Sequence, residues 1–278
     1  MIPRIVELRT RILKKNDELA RQLRREFADL GVLVVNVVSG PGAGKTELLT
    51  RALGELAARY EVAAVVGDLA TDNDAARLAT SGARVRQILT GTMCHLEADM
   101  VRDAIAPWDL RGLDFLFIEN VGNLVCPASW DLGEDLRVLL CSATEGEDKP
   151  LKYPTLINTV DLVIFSKMDL ADAVEFDLKL AEGNVQRARP GAPTLRLSAK
   201  TGAGVDRWLE FLENRLGEKR LTTPAPYDAF APILAHYHPA GEKPGTGSGP
   251  GRTWSDSPRT SDQGTQSDSN HRAGVIAE

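Results

Sequence analysis

The chain has 278 residues, of which 43% are hydrophobic, and its formal net charge is -6. This length and composition allow one substantial α/β domain with extensions, and the acidic balance argues against a nucleic-acid surface, which would need a basic stripe. No apolar run reaches the length of a membrane span, and residues 1–10 contain no apolar signal core, so we expect a cytoplasmic protein without a membrane span.

The chain begins with a predicted amphipathic helix. Apolar side chains recur between residues 4 and 30 at spacings of three, four and seven, and Gly31 is a typical helix end. Asn16 interrupts the apolar stripe. Two interpretations are open: a local contact with the following domain, or a polar residue tolerated near the helix edge. We assign residues 1–31 to this N-terminal helix.

Residues 32–46, VLVVNVVSGPGAGKT, combine a β-branched run, a glycine-rich turn and a Lys-Thr pair that opens a helix. This is the layout of a P-loop, whose backbone N–H groups form a cradle for phosphate oxygens. Lys45 would reach the β- and γ-phosphates, and Thr46 would hold Mg²⁺. Ser39 stands where the motif usually has glycine, so we expect it to adopt a backbone conformation easier for glycine. The predicted nucleotide-binding residues of this loop are Gly40, Pro41, Gly42, Ala43, Gly44, Lys45 and Thr46.

Further short apolar runs alternate with helical segments, which predicts a doubly wound, mostly parallel sheet of about seven strands flanked by helices. The predicted strands are 32–38, 61–67, 84–89, 114–118, 136–142, 161–165 and 194–197. The predicted helices include 46–59, 75–80, 95–106 and 205–216. Residues 32–221 would form the P-loop domain and 222–238 a C-terminal extension. Residues 239–278 are rich in Gly, Ser and Pro, which is typical of a disordered tail.

Two carboxylates follow predicted strands where ligands bind in such a sheet. Asp68 and Glu119 come directly after apolar runs, and we expect both beside the P-loop strand, completing the Mg²⁺ shell or fixing its waters. The alternative is that they cap the next helix or loop. The predicted catalytic set is therefore Lys45, Thr46, Asp68 and Glu119. No glutamine stands where a fast GTPase would place one, so we expect slow hydrolysis.

Two later motifs favour guanine over adenine. Residues 166–169, SKMD, are similar to the NKxD element of GTP-binding proteins. Asp169 can accept hydrogen bonds from guanine N1–H and the exocyclic amine, and the Lys167 stem would lie along the purine plane. Ser166 replaces the expected Asn, and we expect it to loosen the hydrogen bonds between loops. A second element resembles SAK and would close over the base from the other side; it comprises Ser198, Ala199 and Lys200.

A Cys–His–Cys set indicates a second site. Cys94 and His95 are adjacent, and Cys126 follows the predicted strand 114–118. Thiolate and imidazole ligands suit Zn²⁺ or Ni²⁺, and because three ligands leave a site incomplete, a two-fold dimer could complete it. The alternative is that these cysteines are small buried apolar residues, which is the role we expect for Cys141 within its apolar strand.

The chain resembles the HypB family of GTPases, which assist nickel insertion into [NiFe]-hydrogenase. The resemblance covers roughly residues 5–216 and is carried by the P-loop, SKMD, GDLATDNDAARL, QILTGTMCHLEADM, FLFIENVGNLVCPASWDLGE and SATEGEDKPLKYP. It implies a GTP-dependent homodimer of the SIMIBI class whose interface holds nickel or zinc through Cys94, His95 and Cys126. It also implies other hydrogenase maturation factors and the hydrogenase large subunit as partners. The N-terminal nickel-binding motifs of some members are absent, so metal handling would depend on the interior site.

These predictions lead to a hypothesis of a switch, in which GTP orders the segments after Asp68 and Glu119 and so alters metal binding or dimerisation. Three other functions stay open. The chain could be a GTPase chaperone of another metalloenzyme, of the urease or cobalamin-enzyme accessory type. It could be a small-molecule kinase, against which SKMD argues. It could also be a passive metal-binding protein with a vestigial nucleotide site, which the altered Ser39 and Ser166 keep open.

Overall fold

The computed structural model describes residues 4–68 and 73–222, and of residues 4–10 the backbone alone. Seven strands form one sheet in the order β3-β2-β4-β1-β5-β6-β7. The strands are β1 (Leu33–Ser39), β2 (Val62–Asp68), β3 (Arg84–Leu89), β4 (Phe115–Glu119), β5 (Leu136–Ser142), β6 (Leu162–Ser166) and β7 (Thr194–Arg196). The helices are α1 (Arg4–Leu30), α2 (Lys45–Leu56), α3 (Asn73–Ala79), α4 (Ala98–Ile105), α5 (Lys149–Lys152), α6 (Pro154–Ile157), α7 (Leu178–Ala188) and α8 (Val205–Thr222).

The sheet confirms the predicted fold class. Every pair of neighbouring strands is parallel, as expected for buried β-branched strands connected by helices. β1 lies at the centre, between β4 and β5. The prediction that Asp68 lies beside the P-loop strand is wrong, because β4 separates β2 from β1. Glu119 at the end of β4 is in register with Val37 of β1 and with Val66 of β2.

All four of the predicted helices that follow the first strand differ in their boundaries: 46–59 is found as Lys45–Leu56 and 75–80 as Asn73–Ala79, and the other two differ as follows. The helix expected over 95–106 begins only at Ala98, because the preceding residues form a turn in which Thr90 Oγ1 donates to the carbonyl of Met93 at 2.7 Å. The last helix extends from 205 to Thr222 rather than ending at 216. Apart from residue 222, the predicted C-terminal extension and tail lie outside the described residues.

The core lies on both faces of the sheet because neighbouring residues of a strand point to opposite sides. On one face, Val35 packs in a cluster with the buried residues of α2 and α8, including Trp208. On the other face, Val34 packs with α4 and with Phe27 of α1. The N-terminal helix is therefore part of the domain core. Among the described helices, none combines the length and apolar character needed to cross a membrane.

Candidate nucleotide and metal sites

The P-loop turns between β1 and α2 at two glycines. Gly42 and Gly44 have φ angles of +75° and +97°, a region that residues with a Cβ rarely adopt. Ser39 instead ends β1 and has no positive φ, so the expectation that it needs a glycine-like conformation is wrong. Its hydroxyl accepts a hydrogen bond from Lys45 Nζ at 2.9 Å. Serine at this position therefore orients the lysine of the motif.

Lys45, Thr46 and Glu119 form a buried polar group at the end of the central strands. Thr46 Oγ1 donates to Glu119 Oε1 at 2.7 Å, whereas Glu119 Oε2 is buried with no hydrogen-bond partner among the described residues. Burial lowers the pKa of Lys45 and raises the pKa of Glu119 to about 7. A bound phosphate would therefore stabilise the charged form of Lys45, and a bound cation would stabilise the charged form of Glu119.

A cavity of about 440 Å³ opens above this group. All four predicted catalytic residues line it: Lys45, Thr46, Asp68 and Glu119. Pro41, Gly42 and Gly44 of the P-loop also contribute. The lining also includes Asp74, for which the sequence leaves a magnesium role and a helix N-cap role equally open, and the side chains of Glu47, Arg77 and Asn120, which the sequence did not assign to the site. Asp74 and Arg77 lie in α3, a helix that the sequence predicted without indicating which side chains face the cavity.

A second cavity, of about 410 Å³, lies over the predicted base-binding motifs. Lys167, Asp169, Ala199 and Lys200 line it together with Ala43 of the P-loop. Ser198 Oγ donates to Asp169 Oδ1 at 2.6 Å and so holds the carboxylate that would accept from guanine. The two cavities share Gly44, Glu47 and Lys167, so they form one continuous cleft from the P-loop to SKMD and SAK.

Ser166 and Gly40 connect neighbouring loops to the P-loop. The hydroxyl of Ser166 donates to the carbonyl of Ala43 at 2.7 Å, so the expected loosening is not found and serine keeps a bond between the two loops. Gly40 faces the carboxylate of Glu145, which would collide with a side chain at position 40.

Cys94, His95 and Cys126 lie together at the end of the sheet next to the nucleotide cleft. Their ligand atoms all lie within 4.8 Å of one another, and the two sulfur atoms are 2.7 Å apart. Contact with the Cys126 thiol, with burial, raises the pKa of Cys94. Cys141 is separate from this cluster: it is buried in β5, as predicted, and burial raises its thiol pKa to about 12.

Three residues that the sequence did not indicate surround the cluster. The Trp130 ring stacks on His95 with 4.3 Å between ring centroids. Glu97 Oε1 lies 3.5 Å from His95 Nε2, which leaves Nδ1 on the side of the Cys94 sulfur, 4.0 Å away. Asn123 Nδ2 donates to the carbonyl of Cys94 at 3.1 Å. These contacts orient the imidazole and tie the two ligand loops together.

The segment from Glu119 to Cys126 connects the two sites. Asn120 Oδ1 accepts from the backbone N–H of Leu96, the residue after His95, at 3.4 Å. Gly122 lies so close to the P-loop that an added Cβ would stand 3.1 Å from the Cα of Pro41, a tighter contact than usual. One short segment therefore begins at Glu119 in the phosphate cavity, contacts the P-loop and the Cys94–His95 loop, and ends at Cys126.

The parallel sheet with a central P-loop strand, and the cleft from the P-loop to SKMD and SAK, define a nucleotide-binding protein of the P-loop class. Residues 33–196 match the family model described as CobW/HypB/UreG, nucleotide-binding domain. The hydrogenase maturation factor HypB of Azotobacter vinelandii is 44% identical over 216 residues, which cover 78% of this chain and 71% of that protein. HypB of Escherichia coli K12 is 44% identical over 212 residues, covering 76% and 73%.

Solved structures agree with these relatives. The crystal structure of Helicobacter pylori HypB in complex with nickel has a TM-score of 0.70 and 38% identity, covering 76% of this chain and 98% of that one. HypB from Archaeoglobus fulgidus has a TM-score of 0.68 and 34% identity, covering 73% and 99%. The chain belongs to the HypB hydrogenase maturation factors, within the CobW/HypB/UreG family of SIMIBI-class P-loop proteins, as its motifs predicted.

Proposed function

We propose that this chain is a GTP-hydrolysing nickel chaperone that assists insertion of nickel into [NiFe]-hydrogenase. The observation that carries the proposal is the grouping of the Cys94, His95 and Cys126 ligand atoms within 4.8 Å, next to the nucleotide cleft. A related protein, H. pylori HypB, has been solved in complex with nickel. Thiolate and imidazole ligands suit nickel as well as zinc, so the ligand chemistry agrees with this cargo.

The nucleotide would be GTP. Lys45 would contact the β- and γ-phosphates, and the turned N–H groups of the P-loop would surround them. Asp169, held by Ser198, would accept from the guanine N1–H and amine, which adenine does not offer as a pair. We propose slow hydrolysis; no glutamine is among the described residues that line the phosphate cavity.

The same residues fit a magnesium ion. One oxygen of Glu119 is buried without a described partner, and the other accepts a hydrogen bond from the Thr46 hydroxyl. Burial disfavours the negative charge of this carboxylate. A hard cation would stabilise that charge and would have oxygen ligands here. We propose Thr46 and Glu119, with Asp68 across the cavity, as the residues that hold it or its waters. When bound, the ion would neutralise charge that develops on the β- and γ-phosphate oxygens.

Nucleotide and metal would influence each other through the segment from Glu119 to Cys126. A γ-phosphate that orders Glu119 acts on a segment whose next residue, Asn120, contacts the N–H following His95. Asn123 in the same segment contacts the carbonyl of Cys94. GTP binding would thereby alter the geometry of the ligands, and hydrolysis would reset it.

A homodimer would complete the metal site. Three protein ligands leave a tetrahedral ion with an open position, which a second copy could supply or close. The chain would then transfer nickel to other maturation factors and the hydrogenase large subunit.

The proposal is tested in a hydrogenase-producing bacterium deleted for its own HypB. The wild-type chain should restore hydrogenase activity, whereas Cys94→Ala and Lys45→Ala should not. Cys141→Ala, which removes the cysteine outside the cluster, should restore activity. Restoration by Lys45→Ala would indicate a passive metal-binding protein, and restoration of urease alone would indicate the other class of chaperone; either result would overturn the proposal.

A further inference from the structure

Asn16, the polar residue in the apolar stripe of α1, uses both ends of its amide inside the protein. Its side chain is buried, with 6% of its surface exposed. Nδ2 donates to the carbonyl of Asp131 at 2.8 Å, and Oδ1 accepts from the backbone N–H of Ala98 at 2.8 Å. Of the two interpretations that the sequence left open, the contact with the following domain is therefore the one found.

The bond from Asn16 to Ala98 fixes the loop that carries Cys94 and His95. Ala98 is the first residue of α4 and lies three residues after His95. Glu97 occupies the N-cap position but makes no side-chain capping bond. Because the first N–H groups of a helix lack partners within it, Asn16 supplies from α1 the acceptor that the N-cap residue does not. This bond sets where α4 begins, and thus where the ligand turn ends.

The bond from Asn16 to Asp131 fixes the loop that carries Cys126. Asp131 follows Trp130, whose ring stacks on His95. Arg24, two helical turns further along α1, also binds this loop: it pairs with Asp131 Oδ1 at 2.5 Å and donates to the carbonyl of Glu134 at 3.3 Å. The loop after Cys126 is therefore held against the same helix face as the start of α4.

We propose that Asn16 is a positioning residue of the nickel site, which holds the His95 turn and the Cys126–Trp130 loop at a fixed separation. Neither of its bonds involves a metal ligand directly; both hold the chain within five residues of one. The inference rests on the proposed function, because it assumes that nickel binds at Cys94, His95 and Cys126. It makes the N-terminal helix a functional part of that site.

The consequence is a selective loss. Outer residues that orient metal ligands typically contribute about 10- to 100-fold to metal affinity. Replacing Asn16 should therefore weaken nickel binding, while GDP affinity stays within about twofold, since no bond of Asn16 reaches the P-loop or the base motifs. If Asn16 only satisfied two backbone groups, its replacement would lower stability without weakening nickel binding selectively.

The experiment compares Asn16→Leu and Asn16→Asp with the wild type. Asn16→Leu continues the apolar stripe and removes both bonds, whereas Asn16→Asp keeps the acceptor for Ala98 and loses the donor to Asp131. Asn184 provides the matched control, because it is also buried and donates to a distant loop carbonyl, that of Glu147 at 2.9 Å. Asn184→Leu and Asn184→Asp should lower the melting temperature and leave nickel affinity unchanged.

Nickel affinity is measured by competition with a coloured chelator, the thiolate-to-nickel absorption band reports ligand geometry, and GDP titration reports the nucleotide site. We expect affinity to fall in the order wild type, Asn16→Asp, Asn16→Leu, with a weakened or shifted band. Wild-type affinity and band in a folded Asn16 variant would overturn the inference. Nickel binding to the wild type that does not require Cys94 would overturn the proposed function itself, and this inference with it.

Discussion

The Thr46 hydroxyl donates to Glu119 Oε1 at 2.7 Å and so joins the first turn of the P-loop helix to the end of the neighbouring strand β4. The bond places the two expected magnesium ligands in contact. It also leaves the second oxygen of Glu119 buried and without a described partner. In the nucleotide-free protein this arrangement favours the neutral carboxyl group, which has a consequence for stability.

Stability should fall as pH rises from about 4.5 to about 7. Burial raises the pKa of Glu119 to about 7, against an ordinary value of 4.5. Between these values the folded protein binds more protons than the unfolded chain, so the free energy of unfolding decreases with pH, by up to about 3 kcal/mol in total. The stability that the protonated Glu119 contributes is fully present below pH 4.5 and lost above about pH 7. Denaturant melts of nucleotide-free protein in chelator should show this slope.

Glu119→Gln should flatten that part of the profile, because glutamine keeps an oxygen for Thr46 but does not titrate. Glu47→Gln, which changes an exposed carboxylate on α2, should retain the wild-type slope. An unchanged slope in Glu119→Gln would show that the pH dependence has another origin.

Lys45→Met should separate binding from folding. The variant loses the cation that would contact the phosphates, so GDP and GTP affinities should fall at least about 10- to 100-fold. Because burial lowers the pKa of Lys45, its ammonium is costly without a phosphate, and an apolar side chain of similar length should leave the melting temperature equal or higher. Isothermal titration and thermal melts measure the two effects, with the exposed Lys179→Met as control. A large loss of nucleotide-free stability would contradict this role.

Asp169→Asn should change the preferred base. The amide presents a donor where guanine needs an acceptor, so GDP affinity should fall about 100-fold or more, and xanthosine diphosphate, which carries a carbonyl at that position, should bind better. Ser198→Ala removes only the hydroxyl that holds Asp169, and should weaken GDP by about 3- to 10-fold. Competition with a fluorescent GDP measures the affinities for GDP, xanthosine diphosphate and ADP. Equal binding of GDP and ADP by the wild type would rule out the assignment.

Gly133→Ala should loosen α1 from the loop after Cys126. Gly133 has a φ of +83°, and a Cβ there would lie 2.9 Å from the carbonyl of Ala20 and from Leu23 Cβ. We expect a loss of about 1–3 kcal/mol in the free energy of unfolding. Gly183→Ala, in α7 with no atom within 4 Å of the added carbon, should instead stabilise by about 0.5–1 kcal/mol. Urea denaturation of both variants tests the tight packing; equal effects would contradict it.

The sequence predicted the strands well because their signal is local. Continuous apolar runs mark β1, β2, β4 and β6 as strands buried on both faces, and the P-loop and SKMD each directly follow one of them. Cys94, His95 and Cys126 could likewise be proposed together, since residues that follow strands meet at one edge of the sheet. What the pattern does not contain is strand order, so the position of β4 between β1 and β2 was missed.

The supporting contacts could not be predicted from the sequence because they join distant segments. The stacking of Trp130 on His95 depends on how the loop after Cys126 folds back. Asn16 was visible as a polar interruption in an apolar stripe, but its partners lie 82 and 115 residues away. The helix predicted to start near His95 exists, but its predicted start was wrong for the same reason: the N–H of Ala98, its first residue, is bonded by Asn16 of α1 rather than by a local capping side chain.

Nickel binding with and without nucleotide tests the central proposal most directly. Anaerobic Ni²⁺ titrations of wild type and Cys94→Ala would be done in the absence of nucleotide, with GDP, and with a non-hydrolysable GTP analogue. We predict one site that requires Cys94 and whose affinity changes with nucleotide, the ratio giving the coupling free energy. Identical affinity and dimerisation in all three nucleotide states, or nickel binding unaffected by Cys94→Ala, would contradict a GTP-controlled nickel chaperone.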